Sequence, residues 1–223
     1  RVETHLKLRR YQIELEQHNN HLSDLVKNKV KEITESQMST IFALAKLAES
    51  RDEETGKHIE RVRLFSQLLA THLRDRDLHL DEINDEFIEN LFHASPLHDI
   101  GKVAIKDAVL LKPGRLTPEE VEEIKYHTIF GAETLEKVNH LYPNNKFIQM
   151  GVLIARSHHE RWDGTGYPDG LSGNDIPLCA RIMAVADVYD ALRTDRCYRP
   201  GFFHNEVVQL IREESGKHFD PNV

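Results

Sequence analysis

The sequence predicts an all-α fold, a helical bundle preceded by one long N-terminal helix. Three observations predict it. Residues 1 to 49 contain neither proline nor glycine. Beyond them, apolar residues keep recurring at helical spacing. No alternating strand pattern of any length occurs. The 223 residues, 39% apolar and 30% charged, suit a globular domain with an extension.

Taken in order, residues 1–49 read as a connector or dimerisation helix. Leu8, Tyr11, Leu15, His18, Leu22 and Leu25 alternate spacings of three and four, a coiled-coil seam with a polar residue in it. After Leu25 the stripe changes phase, to Val26, Val30, Ile33 and then Ile41, Leu44 and Leu47. A phase slip is expected where a coiled coil meets a globular domain. A homodimer paired through this helix is therefore the expected assembly, against a helix packed along its own domain.

Residues 50–223 form the second domain. Arg61 to Leu73 places Val62, Phe65, Leu68, Leu69 and Leu73 on one helical face. Ile83 to Leu97 predicts the next helix, ending near Asp99 with Gly101 just past it. Thr117, Pro118 and Glu120 make a helix start: an N-cap, proline in the first turn and an acid three residues after the cap. Ile148 to His159 and Ala180 to Arg193 complete the helices. Between them, Glu160 to Pro177 is a long irregular loop, of the kind that usually carries function.

Composition excludes several classes. Two cysteines cannot make a disulfide framework, so a reducing cytoplasm is the simplest setting, although the region could belong to a longer membrane receptor. No apolar run reaches spanning length, and the first residues do not read as a signal peptide. A formal charge of −8 argues against a nucleic acid polymer bound on a broad basic face. It leaves room for a small anion held by local cations.

The distinctive residue is histidine, with 14 copies. Glu54 and His58 are four apart, on one face if a helix continues through Gly56. His98 and Asp99 are adjacent, as are His158 and His159; His127 lies within a helix. Asp187 sits inside IMAVADVYDAL, where an unpaired carboxylate would be costly. Singly, each reads as an ordinary surface or core residue. Together they suit a metal. Adjacent helical residues diverge by roughly 100°, so each pair can grip one site from two sides or serve two ions. Nitrogen and carboxylate donors without cysteine suit iron, manganese, nickel or zinc, and a carboxylate can bridge two metals.

With those residues in place, LHDIGK (97–102) and HHERWDGTGYP (158–168) resemble the HD-GYP family, a branch of the HD metal-dependent phosphohydrolases. The likeness runs from RDEETGKHIERV to GKHFDP, through RIMAVADVYDAL. It implies an HD-type helical bundle and two or three divalent ions, with iron or manganese first and nickel or zinc behind. On the family's ligand positions fall Glu54, His58, His98, Asp99, His127, His158, His159 and Asp187, with Asp99 bridging. Glu54 and His58 go with the third ion.

The resemblance also implies a substrate, cyclic di-GMP, cleaved to pGpG and in some members on to GMP. Lys102 is placed to neutralise a phosphate oxygen, and Arg196 and Arg199 to grip a phosphodiester. Asp190 is a candidate for a guanine edge. Gly166, Tyr167 and Pro168 would stand at the rim of the cleft, as one wall of it or as a surface for a partner signalling domain, or serve as a lid that keeps the ligands ordered. Gly164, Gly166, Gly170 and Gly173 would turn the chain there. Ala104 and Lys106 depart from the family's glycine and proline, at positions that are not ligands. RVETHLKLRRYQIELEQHN is similar to the last helix of a response-regulator receiver domain, and the end at GKHFDPNV reads as trimmed before a further helix. Rival readings are a mixed cyclic GMP–AMP substrate, a linear nucleotide, a metal and dinucleotide binding module with weak turnover, or a dimer scaffold.

Overall fold

A computed structural model describes residues 2–51, 57–79, 81–195 and 200–223. Among the described residues it contains eight α-helices and no β-strand. The chain divides into two compact units, one through Ala43 and one from Leu44 to Val223.

Helix α1, Val2–Glu49, supplies the whole of the first unit. Its apolar residues from Val2 to Ile33, the expected seam among them, are exposed. Ion pairs at helical spacing, such as Arg10 with Glu14 at 3.0 Å, lie along the same surface.

The second unit is a bundle of α2 (His58–Asp75), α3 (Asp85–Ala94), the one-turn α4 (Asp107–Leu110), α5 (Pro118–Leu141), α6 (Lys146–Ser157), α7 (Leu178–Arg193) and α8 (His204–Glu213). Helix α7 is the centre. Every residue from Leu178 to Ala186 is buried, which marks a helix packed on all sides. Helices α2, α6 and α8 pack around it, and α3 bridges α2 and α6.

The start of α5 is as the sequence predicts. Thr117 accepts from the Glu120 N–H, and the Glu120 carboxylate accepts from the Thr117 N–H. Two other expectations need correction. In α2 the buried face is Ile59, Val62, Ser66, Ala70 and Leu73, while Leu68 is 66% exposed. Ser66 faces α7, its hydroxyl 3.8 Å from the Met183 sulfur, and a small side chain there lets α2 approach closely. Nor does the next helix run to Leu97. Asn84 caps α3 and Ala94 ends it; 3-10 turns follow at Ser95–Leu97 and Ile100–Ala104. Pro96 explains the break, since it lacks the N–H that would continue the α-helical ladder.

The C-terminal segment is tied down by charge. Asp220 accepts a 2.6 Å bond from Arg181 of α7, with both side chains buried. The Trp162 N–H donates to the His218 carbonyl and the Asp163 N–H to that of Lys217, so the same segment carries the long loop. Removing one member of a buried pair strands the other. Asp220→Ala is expected to destabilise the fold by about 3–5 kcal/mol, read as a lower urea midpoint. An unchanged midpoint would show that the pair contributes nothing.

Candidate metal centre

The two 3-10 turns bring the HD pair into the interior. His98 caps the first turn and Asp99 opens the second. His127 comes from the middle of α5, His158 and His159 from the end of α6, Asp187 from α7 and His58 from the start of α2.

These residues form two contiguous groups. Asp99, His127, His158 and His159 make one, and His58, His98 and Asp187 the other; within each, the donor atoms lie within 4.8 Å of one another. Adjacent His98 and Asp99 fall in different groups, so the pair links them. Asp99 Oδ1 is 3.2 Å from His127 Nε2 and 3.8 Å from His158 Nε2. Its Oδ2 is 3.2 Å from His98 Nε2 and 2.8 Å from Lys102 Nζ. Glu54, Arg196 and Arg199 lie outside the described residues.

The ring orientations show what the centre is built for. Nδ1 of His98, His127 and His158 lies on a backbone carbonyl, those of Ser95 (2.9 Å), Ile124 (2.7 Å) and Ile154 (2.9 Å). Nδ1 of His58 lies on the Asp190 carboxylate at 2.7 Å. Each Nδ1 is thus held by an acceptor, which turns Nε2 of the ring toward the centre, the arrangement that orients metal-binding histidines. His98 Nε2 and Asp99 Oδ1 are buried and make no hydrogen bond. Unsatisfied buried donor sets of nitrogen and carboxylate fit a divalent cation.

Electrostatics divides the rings. Burial opposes a proton on His98, but Asp99 beside it, helped by Asp187, raises it to about 9. Burial, reinforced by His159 and His98, holds His158 well below the ordinary histidine range. At His159 burial outweighs the carboxylates and lowers it to about 4. His158 and His159 are therefore neutral near pH 7, the form that ligates. Although burial opposes it, Lys102 and His98 keep Asp99 ionised well below the carboxylate range.

Asp190, expected at a guanine edge, is instead 1% exposed. It accepts from Arg61 at 2.5 and 2.9 Å and holds His58, so both its oxygens are engaged inside the bundle. Tyr167 lies over the centre, its ring stacked on His159 at 4.8 Å. Glu160 fixes that loop from beneath, accepting from the N–H groups of Asp169 (2.8 Å) and Leu171 (3.1 Å). Gly166 is there for space: a Cβ would run into the Glu160 and Arg161 backbone. Its φ is not in the positive range, so the turn expected of it belongs to Gly164, Gly170 and Gly173.

Sequence reasoning passed over Arg51. Its guanidinium donates to the carbonyls of Lys102 (3.0 Å), Val103 (2.7 Å) and Ile105 (3.0 Å) and to the Asp107 carboxylate (2.5 Å). It clamps the turn that carries Lys102. Periodicity does not signal it, because its partners, three carbonyls and one carboxylate, lie about fifty residues away in the sequence.

An HD domain family model matches residues 20–223. A probable cyclic di-GMP phosphodiesterase of Vibrio cholerae is 45% identical over 100% of this chain and 51% of its own length. A 3'3'-cGAMP-specific phosphodiesterase of the same organism is 36% identical over 88% of this chain and 35% of its own. The chain thus spans about half or less of the curated relatives it matches. Among solved structures, an HDG"Y"P protein from Bdellovibrio bacteriovorus superposes with a TM-score of 0.51 and 25% identity, over 79% of this chain and 53% of that one.

Proposed function

The chain belongs to the HD domain family, and on that premise we propose that it is a metal-dependent phosphodiesterase hydrolysing cyclic di-GMP to linear pGpG, with GMP as a further product. The observation that carries this reading is the set of tethered histidines whose Nε2 atoms converge on Asp99. Such a set holds cations, and the relatives that share the sequence are named for cyclic dinucleotide hydrolysis.

In this reading Asp99, His127, His158 and His159 would hold one divalent ion, and His58, His98 and Asp187 a second, with Asp99, 3.2 Å from His98, placed to serve both. With a third ion, Glu54 and His58 would hold it together, and His98 and Asp187 would keep the second with Asp99. Iron or manganese fits the donors best, with nickel or zinc as alternatives. Bound there, the metals supply Lewis-acid activation of water and of the phosphoryl group. The chain's own residues do the rest. Lys102, held beside Asp99 at 2.8 Å, meets charge on a phosphoryl oxygen. Arg196 and Arg199 grip the phosphodiester. Tyr167, packed on His159, limits water at that side, and the loop around it offers a face to a partner signalling domain. The seam of α1 pairs two copies into a homodimer. Among the described residues no helix is long and apolar enough to cross a membrane, and a second-messenger substrate places the reaction in the cytoplasm.

The second reading is the mixed cyclic GMP–AMP dinucleotide, favoured by the 36% identical relative named for it. Both are tested with protein loaded anaerobically with ferrous iron or manganese and given each dinucleotide in turn. Linear product from cyclic di-GMP at the greater kcat/KM is expected, and a chelator should abolish it. Preference for the mixed substrate would favour the second reading. Metal bound without turnover of either would leave a binding module.

A further inference from the structure

His58 is held differently from the other rings. At His98, His127 and His158 the acceptor for Nδ1 is a backbone carbonyl three or four residues earlier in the chain. At His58 it is the carboxylate of Asp190, from α7. A carbonyl in a helical turn is fixed by the backbone. A carboxylate rotates about its side-chain bonds unless something fixes it. Arg61, three residues after His58 on α2, does so with a bidentate fork. Its Nε donates to Asp190 Oδ1 at 2.5 Å and its Nη2 to Oδ2 at 2.9 Å. Nη2 also donates to the hydroxyl of Thr194, the residue that caps α7, at 2.9 Å. The guanidinium balances the charge of the buried Asp190 carboxylate. Asp190 follows Asp187 by three residues on α7. One helix therefore supplies both a carboxylate of the centre and the group that holds one of its rings.

We propose that Arg61 is a positioning residue of the metal centre. It locks Asp190, and through Asp190 it sets the His58 ring with Nε2 aimed into the centre. This deepens the metal-dependent reading and rests on it. The competing role for the same bonds is a strap that only ties α2 to α7. The two roles differ in what they predict for the metal.

The test is manganese binding by the whole 223-residue chain, measured by titration calorimetry and by elemental analysis after desalting. Wild type, Arg61→Lys and Thr194→Val are compared, and the melting temperature of each is taken without metal. Arg61→Lys keeps the charge and loses the fork. It is expected to bind the manganese on the His58 side at least about tenfold more weakly, while the ion on Asp99, His127, His158 and His159 stays. Thr194→Val takes one bond from the guanidinium and should weaken the same ion to a smaller extent. If Arg61→Lys does not fold, Thr194→Val carries the test by the same criterion. A strap would lower the metal-free melting temperature and leave the isotherm of the folded variant superimposed on that of wild type. That result would overturn the inference and leave the metal-dependent reading standing. No manganese on the wild type would overturn both.

Discussion

Asp99→Ala is expected to lower turnover at least about a thousandfold, a loss of roughly 4 kcal/mol or more of transition-state stabilisation, and to remove bound metal. The reason is position. Its carboxylate touches both groups, reaching His127 and His158 with one oxygen and His98 and Lys102 with the other. Removing it leaves buried imidazoles and an ammonium facing one another without the charge that balances them. His98, raised to about 9 chiefly by Asp99 working against burial, should then fall toward neutrality. The checks are steady-state hydrolysis and metal content per chain, with circular dichroism as the folding control. Near-normal turnover with depleted metal would refute the two-ion arrangement.

Gly101→Ala is expected to be the most damaging substitution of a single hydrogen by a methyl group. The added Cβ would sit on the carbonyl oxygen of His127 and 2.7 Å from the Gly131 nitrogen. All of these are backbone atoms, so no rotamer change relieves the clash. Overpacking costs about 1–3 kcal/mol where side chains can move, and about 3 kcal/mol or more is expected here. The residue pushed aside is a metal-site histidine, and a displacement of about 1 Å can reduce turnover a hundredfold. Urea denaturation and manganese affinity should both report it. If both match wild type, the packing of this turn against α5 is not what the glycine is for. The same contact corrects its expected role: it is an interior close approach, and its φ is not in the positive range that a helix stop would use.

What the sequence determined by itself was whatever depends on local chemistry. Periodicity and the Thr117–Glu120 box predicted the helices and the start of α5, because capping and amphipathicity act within a few residues. The ligand candidates were legible because donors of one chemistry stand in adjacent or helically spaced pairs. What only the tertiary structure decided was every relation between distant segments. Leu68 carries the right periodicity, yet α7 packs on the small face of α2 and leaves Leu68 in solvent. Asp190 lies one turn from Asp187, yet it turns inward to hold His58 and Arg61. Arg51 opens a recognisable motif, yet only folding brings it to the carbonyls and carboxylate of residues 102–107. The physical reason is that burial and ion pairing are summed over neighbours in space. A helix reports which residues share a face; only packing decides what that face meets.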